Sequence, residues 1–231
     1  MTSRLRISLV LNLMLLCLLL KSSGILHFIS DRISFLSANT STYSITSLEP
    51  GNHIMRSETL AALPNTTGYT VFFGDSLIDK EEWNELFSKP GILNRGISGD
   101  TIAGVKERVP QLAALKPRKI FLMCGINSLI AGVTPAQAYL QYKALVESLL
   151  HDCPDTSIYV MSVLPISFDN YKVAALNKSL QTLTQKRVVY IDIYSHLVAS
   201  TGYLSSDLTQ DGVHLNGNGY KIWATVVQPY L

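Results

Sequence analysis

Tyr69-Thr70-Val71-Phe72-Phe73-Gly74-Asp75-Ser76-Leu77 is a β-rich apolar run that stops at Gly-Asp-Ser. A run this short, built from β-branched and aromatic residues, suits a strand covered on both faces, which is the pattern of parallel sheets. Similar runs recur at 119–123, 157–163 and 188–191. Between them, helices are expected over about 76–87, 101–115, 135–151, 171–186 and 217–230. The start at Thr134-Pro135-Ala136-Gln137 is well specified: Thr caps, Pro opens the first turn and Gln completes a capping box. Strands alternating with helices predict an α/β fold with helices on both sides of a mainly parallel sheet. Ligands in such sheets sit beyond the C-terminal strand ends, where Gly74-Asp75-Ser76 and Cys124-Gly125-Ile126-Asn127-Ser128 both fall.

These clusters carry chemistry. Ser76 follows a strand and opens a predicted helix, so its hydroxyl can reach the sheet rim near the positive end of that helix. A serine hydroxyl is a poor nucleophile without a base to take its proton. His214 supplies the base, and Asp211, three residues earlier, can turn back to hold its other ring nitrogen. Acyl transfer also needs donors aimed at the oxyanion. The Gly99 N–H in Asn94-Arg95-Gly96-Ile97-Ser98-Gly99-Asp100-Thr101, the Asn127 amide and the Ser76 N–H are the candidates. Taken singly, each has a plainer explanation: Ser76 as a helix cap, Asp211 as a turn residue, His214 as a surface histidine, Gly99 in a tight turn and Asn127 in an Asx turn. Asp75 reads as a brace for the turn presenting Ser76. The remaining histidines, His27, His53, His151 and His196, lack a comparable setting and read as structural.

Composition narrows the function classes. Hydrophobic residues make up 47% and charged residues 16% of 231, with a net charge of +2. That is a folded protein with no field for nucleic acid, and no basic stripe interleaved with aromatics occurs. Cys17, Cys124 and Cys153 form no ligand spacing, so neither a disulfide, a metal nor a cofactor is expected. The absence of Gly-x-x-x-x-Gly-Lys-Ser/Thr and Gly-x-Gly-x-x-Gly argues against a nucleotide site. The absence of Gly-x-Ser-x-Gly argues against an α/β-hydrolase elbow.

Arg4 and Arg6 precede an apolar run over 7–20, followed by Lys21-Ser22-Ser23-Gly24. About 14 apolar residues fall short of the roughly 20 that span a bilayer, and the layout is that of a secretory signal. Residues 1–24 are therefore expected to be a signal peptide or an uncleaved membrane anchor, which implies export. Residues 25–66 read as a linker or N-terminal arm with a short helix over 55–63, and 67–231 as the catalytic domain. Asn39, Asn65 and Asn177 open glycosylation sequons.

In chain order, Gly74-Asp75-Ser76, Gly99-Asp100, Gly125-Ile126-Asn127 and Asp211-Gly212-Val213-His214 resemble the SGNH hydrolases, also called the GDSL esterase family. The resemblance spans about 70–223. It implies a flavodoxin-like three-layer α/β/α sandwich, with Ser76 as nucleophile, His214 as base and acid, Asp211 as its partner, and Ser76, Gly99 and Asn127 around the oxyanion. Where the family usually has Gly-x-Asn-Asp, this chain has Ser128, so altered local hydrogen bonding is expected rather than loss of the oxyanion site. The implied activity is hydrolysis of a short-chain, acetyl-type ester, with an acetylated carbohydrate as first choice of substrate. A lysophospholipase- or thioesterase-type acylhydrolase and an inactive SGNH-fold binding protein are the alternatives.

Overall fold

Val71 and Phe73 face one side of their strand and Phe72 the other, and all three are buried. A strand buried on both faces needs a covering layer on each, and both layers are present in the computed structural model, which describes residues 50–231 and their side chains from 53 on. The strands are β1 (Thr70–Gly74), β2 (Ile92–Gly96), β3 (Lys119–Met123), β4 (Ser157–Met161) and β5 (Val188–Ile191). They form one sheet in the order β2-β1-β3-β4-β5, with every neighbouring pair parallel. The helices are α1 (Pro50–Ala62), α2 (Ser76–Asp79), α3 (Trp83–Leu86), α4 (Ile102–Glu107), α5 (Val109–Ala113), α6 (Ile126–Ile130), α7 (Pro135–Asp152), α8 (Asn170–Leu180), α9 (Tyr194–Leu197) and α10 (Gly217–Val227).

On one face, Val71, Phe73, Ile120, Leu122, Ile158 and Val160 pack with apolar residues of α4, α5, α7 and α8. On the other, Phe72, Phe121, Met123 and Met161 pack with α2, α3, α9 and α10. The second core is aromatic: Phe72 stacks on Trp83 at 4.2 Å and on Phe121 at 4.8 Å, and Trp83 meets Trp223 edge-on at 5.2 Å. The expected three-layer sandwich is thus the observed fold, with α7 opening on the expected Thr134–Gln137 capping box.

Three expectations about elements need correction. The single helix expected over 76–87 is two one-turn helices, because Asn94 of β2 donates its amide to the carbonyls of Ile78, Asp79 and Glu81 at 2.8, 3.2 and 3.0 Å. Those carbonyls are no longer available to continue a helix. The helix expected over 101–115 divides into α4 and α5 at Arg108, with Pro110 at the start of the second piece, where its missing N–H is harmless. Finally, β2 is an edge strand absent from the sequence reading, since Asn94 and Arg95 interrupt its apolar pattern.

The arm read over 25–66 contains α1, whose start lies ahead of the expected 55 and which ends before Pro64. The apolar run 7–20, the reading of 1–24 and the Asn39 sequon lie outside the described residues. Among the described residues no helix is long and apolar enough to cross a membrane. Asn177 is buried, with its amide donating to the Val163 carbonyl and its oxygen accepting the Val163 N–H, both at 2.8 Å. Its side chain holds the chain after β4 and is closed to glycosylation in the folded domain.

Candidate active site

Sheet register assembles the site. Gly74 at the end of β1 pairs with Gly96 of β2 and with Met123 of β3, so the segments that follow all leave the sheet at one rim. Gly74 is fixed by sterics, because a Cβ there would run into the Met123 carbonyl.

Asp75 caps α2, its Oδ1 accepting the Leu77 N–H at 3.1 Å. Ser76 is therefore the first helical residue rather than the cap, which frees its hydroxyl. That Oγ lies 2.9 Å from His214 Nε2. His214 Nδ1 lies 2.6 Å from Asp211 Oδ2, and a proton on Nδ1 leaves Nε2 to accept the serine proton. The histidine turn is wired separately: Asp211 Oδ1 accepts the N–H groups of Val213 and His214 at 2.9 and 2.8 Å. Thr209 Oγ1 donates to the His214 carbonyl at 2.7 Å. Partial burial pushes the Asp211 carboxyl up, but the imidazole and the two N–H donors outweigh it and leave it below the usual carboxylate range. Because α2 is a single turn, its dipole is only a small fraction of what a long helix would offer Ser76.

The three expected oxyanion donors stand around the same rim. Gly99 has φ +81°, the left-handed region that suits glycine, in a loop tied back by the Ile97 N–H to the Gly74 carbonyl at 3.1 Å. Neither the Ser76 nor the Gly99 N–H has a hydrogen-bond acceptor among the described residues. Asn127 Nδ2 gives one hydrogen to the Asp100 carbonyl at 2.9 Å and keeps a second. Ser128 is buried, and its hydroxyl accepts the Ile102 N–H at 3.0 Å. The residue at the family's Asp position thus bonds the start of α4, directly after Asp100.

Beneath the rim lies a charged cluster of which the sequence reading singled out only Asp75. The Arg108 guanidinium meets Asp100 Oδ2 at 2.7 Å, donates to the Gly74 and Arg95 carbonyls at 2.9 Å each, and lies 4.7 Å over the Phe73 ring. Burial pulls the Arg108 pKa down, against the pull of Asp100. The sequence signal for it was an arginine on the apolar stripe of Val105, Val109 and Leu112. Asp75 is wholly buried and its Oδ2 has no partner among the described residues. Burial and the nearby Asp100 charge, opposed by the N–H groups of Leu77 and Gly125 and by Arg108, push its pKa up to about 7. Cys124 and Cys153 are buried free thiols. Among the described residues no group of three or more His, Cys, Asp or Glu side chains is placed to hold a metal ion.

Beside the site, Ile126, Leu129, Ile130, Ile166, Phe168 and Val173, together with the charged Asp169 and Lys172, line a cavity of about 100 Å³. It adjoins Asn127 through Ile126, and the histidine turn through Ser167, whose N–H donates to the Gly212 carbonyl at 2.9 Å.

Residues 72–222 match the GDSL-like lipase/acylhydrolase family. The chain is 32% identical over 162 residues to platelet-activating factor acetylhydrolase IB subunit alpha2 of Rattus norvegicus, covering 65% of this chain and 70% of that one. A GDSL-like lipase from Bacteroides thetaiotaomicron superposes with a TM-score of 0.68 at 20% identity, over 78% of this chain and 96% of the other. A carbohydrate esterase family 3 structure from Talaromyces cellulolyticus superposes at 0.59 and 19% identity, over 70% and 95%. With its parallel sheet and its serine at the sheet rim, the chain belongs to the GDSL-like lipase/acylhydrolase family.

Proposed function

We propose that the protein is a serine esterase that cleaves a short acyl group from a larger molecule through an acyl-enzyme. The observation that carries this reading is the continuous chain from Ser76 Oγ through His214 to Asp211, at 2.9 and 2.6 Å. His214 Nε2 takes the Ser76 proton as Oγ attacks the ester carbonyl, and Asp211 stabilises the imidazolium that forms. The tetrahedral oxyanion is met by the Ser76 N–H, the Gly99 N–H and the free hydrogen of the Asn127 amide. Imidazolium then protonates the departing alkoxide. Water, deprotonated by the same ring, attacks the acyl-serine and releases the acid.

The small size of the cavity beside Asn127, about 100 Å³, supports a short acyl group. The name of the 32% identical relatives, an acetylhydrolase, supports the same choice. For the alcohol half, an acetylated carbohydrate is the first reading. The relatives' name favours a platelet-activating-factor-like acetyl ester as the second. The basic and apolar N-terminal segment would deliver the enzyme outside the cytoplasm, either free or anchored.

Ser76→Ala tests the assignment. Turnover of p-nitrophenyl acetate should fall at least about 10⁴-fold, with the melting temperature retained. Undiminished turnover in that variant would falsify the role of Ser76.

A further inference from the structure

The loop Ile97-Ser98-Gly99-Asp100 carries a candidate oxyanion N–H and closes as a turn, with the Asp100 N–H donating to the Ile97 carbonyl at 3.2 Å and Gly99 at φ +81°, but this single turn lies outside any helix or strand that would seat it. Beyond the Ile97 N–H bond to the Gly74 carbonyl, side chains from outside seat the turn. Asp79 Oδ2 accepts both the Ser98 N–H at 3.2 Å and the Ser98 hydroxyl at 2.7 Å, which holds the residue before Gly99. Asp100, the residue after it, is held by Arg108 on its carboxylate and by the Asn127 amide on its carbonyl. Both carboxylates are then gripped a second time from α1. Arg56 Nε lies 3.2 Å from Asp79 Oδ1 without hydrogen-bond geometry, so its pull is that of a charge, and His53 Nε2 lies 3.3 Å from Asp100 Oδ1. The sequence reading took His53 as structural, because its carboxylate partner is 47 positions away in the chain.

The seat of α1 on the domain makes these pairs matter. Leu60 is the helix's buried apolar anchor, yet it and Ala61 border, with Phe73, Arg95 and Arg108, a cavity of about 200 Å³. Apolar packing therefore holds α1 loosely, and the two polar contacts decide where its first turns sit.

We propose that His53 and Arg56 are positioning residues that orient the Gly99 N–H, so that α1 is part of the catalytic unit. The catalytic consequence rests on the esterase reading above; the consequence for loop order does not. With either grip lost, Asp79 and Asp100 keep their loop partners but gain freedom to move, and a small misplacement of a transition-state donor is costly.

The test uses the full chain with His53→Ala, Arg56→Ala, the double variant, Arg56→Lys, and Glu58→Ala as an exposed control on the same helix. Two quantities are read: steady-state hydrolysis of p-nitrophenyl acetate, and amide hydrogen exchange of the peptide carrying residues 97–100. The double variant should lose about tenfold in kcat, with KM within about twofold, because a donor used only in the transition state is disturbed. Exchange at 98–100 should quicken, Arg56→Lys should restore most of both, and Glu58→Ala should change neither. His53 and Arg56 are themselves partly exposed, and Asp100 and Asp79 keep Arg108 and Ser98 as partners, so the variants should fold, and circular dichroism checks this. Unchanged loop exchange in the double variant overturns the proposal. So does a loss confined to KM, which would mean that α1 touches substrate instead. A wild-type protein without esterase activity overturns the esterase reading alone, and the exchange measurement still decides the role of α1.

Discussion

Asp75 shows how much one residue next to the nucleophile can conceal. From sequence it is a turn brace, and its bond to the Leu77 N–H fits that role. What sequence does not reveal is that the carboxyl is wholly buried, with one oxygen unpartnered among the described residues and a pKa pushed up to about 7 from 3.8. The native state therefore holds a proton that the unfolded chain releases between those two values, and stability falls as pH rises through that window. Asp75→Asn keeps the cap acceptor and removes the charge. The gain in stability of this variant over wild type should grow from pH 4 to pH 8, approaching at most about 4 kcal/mol. Chemical denaturation at the two pH values measures it; a gain that does not grow with pH would mean that Asp75 is ionised at no cost. Ser128 and Asn177 carry the same lesson. A motif departure and a sequon are visible as letters, but burial and bonding to Ile102 and Val163 assign their work.

Among elements, those with unbroken apolar runs were the easiest to read. β1, β3, β4 and β5 and the capping-box helix α7 stand close to where the sequence places them. β2 escaped because Asn94 spends its side chain on other elements. Its amide ends the turn after α2, and its oxygen accepts the Gly96 N–H at 2.8 Å. Asn94→Ala would take this partner from the Asp79 and Glu81 carbonyls and the Gly96 N–H, while the Ile78 carbonyl keeps the Trp83 indole N–H, at a cost of about 2–4 kcal/mol. Urea denaturation of the variant should show that loss, together with slower ester hydrolysis, because Asp79, which holds Ser98, follows the carbonyl Asn94 binds at Ile78. A variant as stable as wild type would mean that solvent replaces Asn94 fully.

At the scale of the molecule, the parallel register sets the serine turn, the Gly99 loop and Asn127 on one rim, and the short-acyl proposal rests on the small cavity beside them. With p-nitrophenyl esters, kcat/KM should peak at two to four carbons and fall at least about tenfold for decanoate, since the excess chain stays in water. A clear preference for decanoate would sink the short-acyl reading. The sequence by itself determined the α/β class, the parallel sheet and the residues most fit to act as nucleophile, base and acid. The first two follow from local physics, since apolar periodicity selects strand or helix; the last came from four short blocks in an order that resembles the SGNH hydrolases, each block weak by itself. Only the tertiary structure decided that Ser76, His214 and Asp211 meet, that Arg108 and Asp75 are buried beneath them, and that His53 and Arg56 grip the Gly99 loop. Those facts depend on pairings between positions far apart in the chain, and on how much water folding removes from each group, neither of which a local pattern encodes.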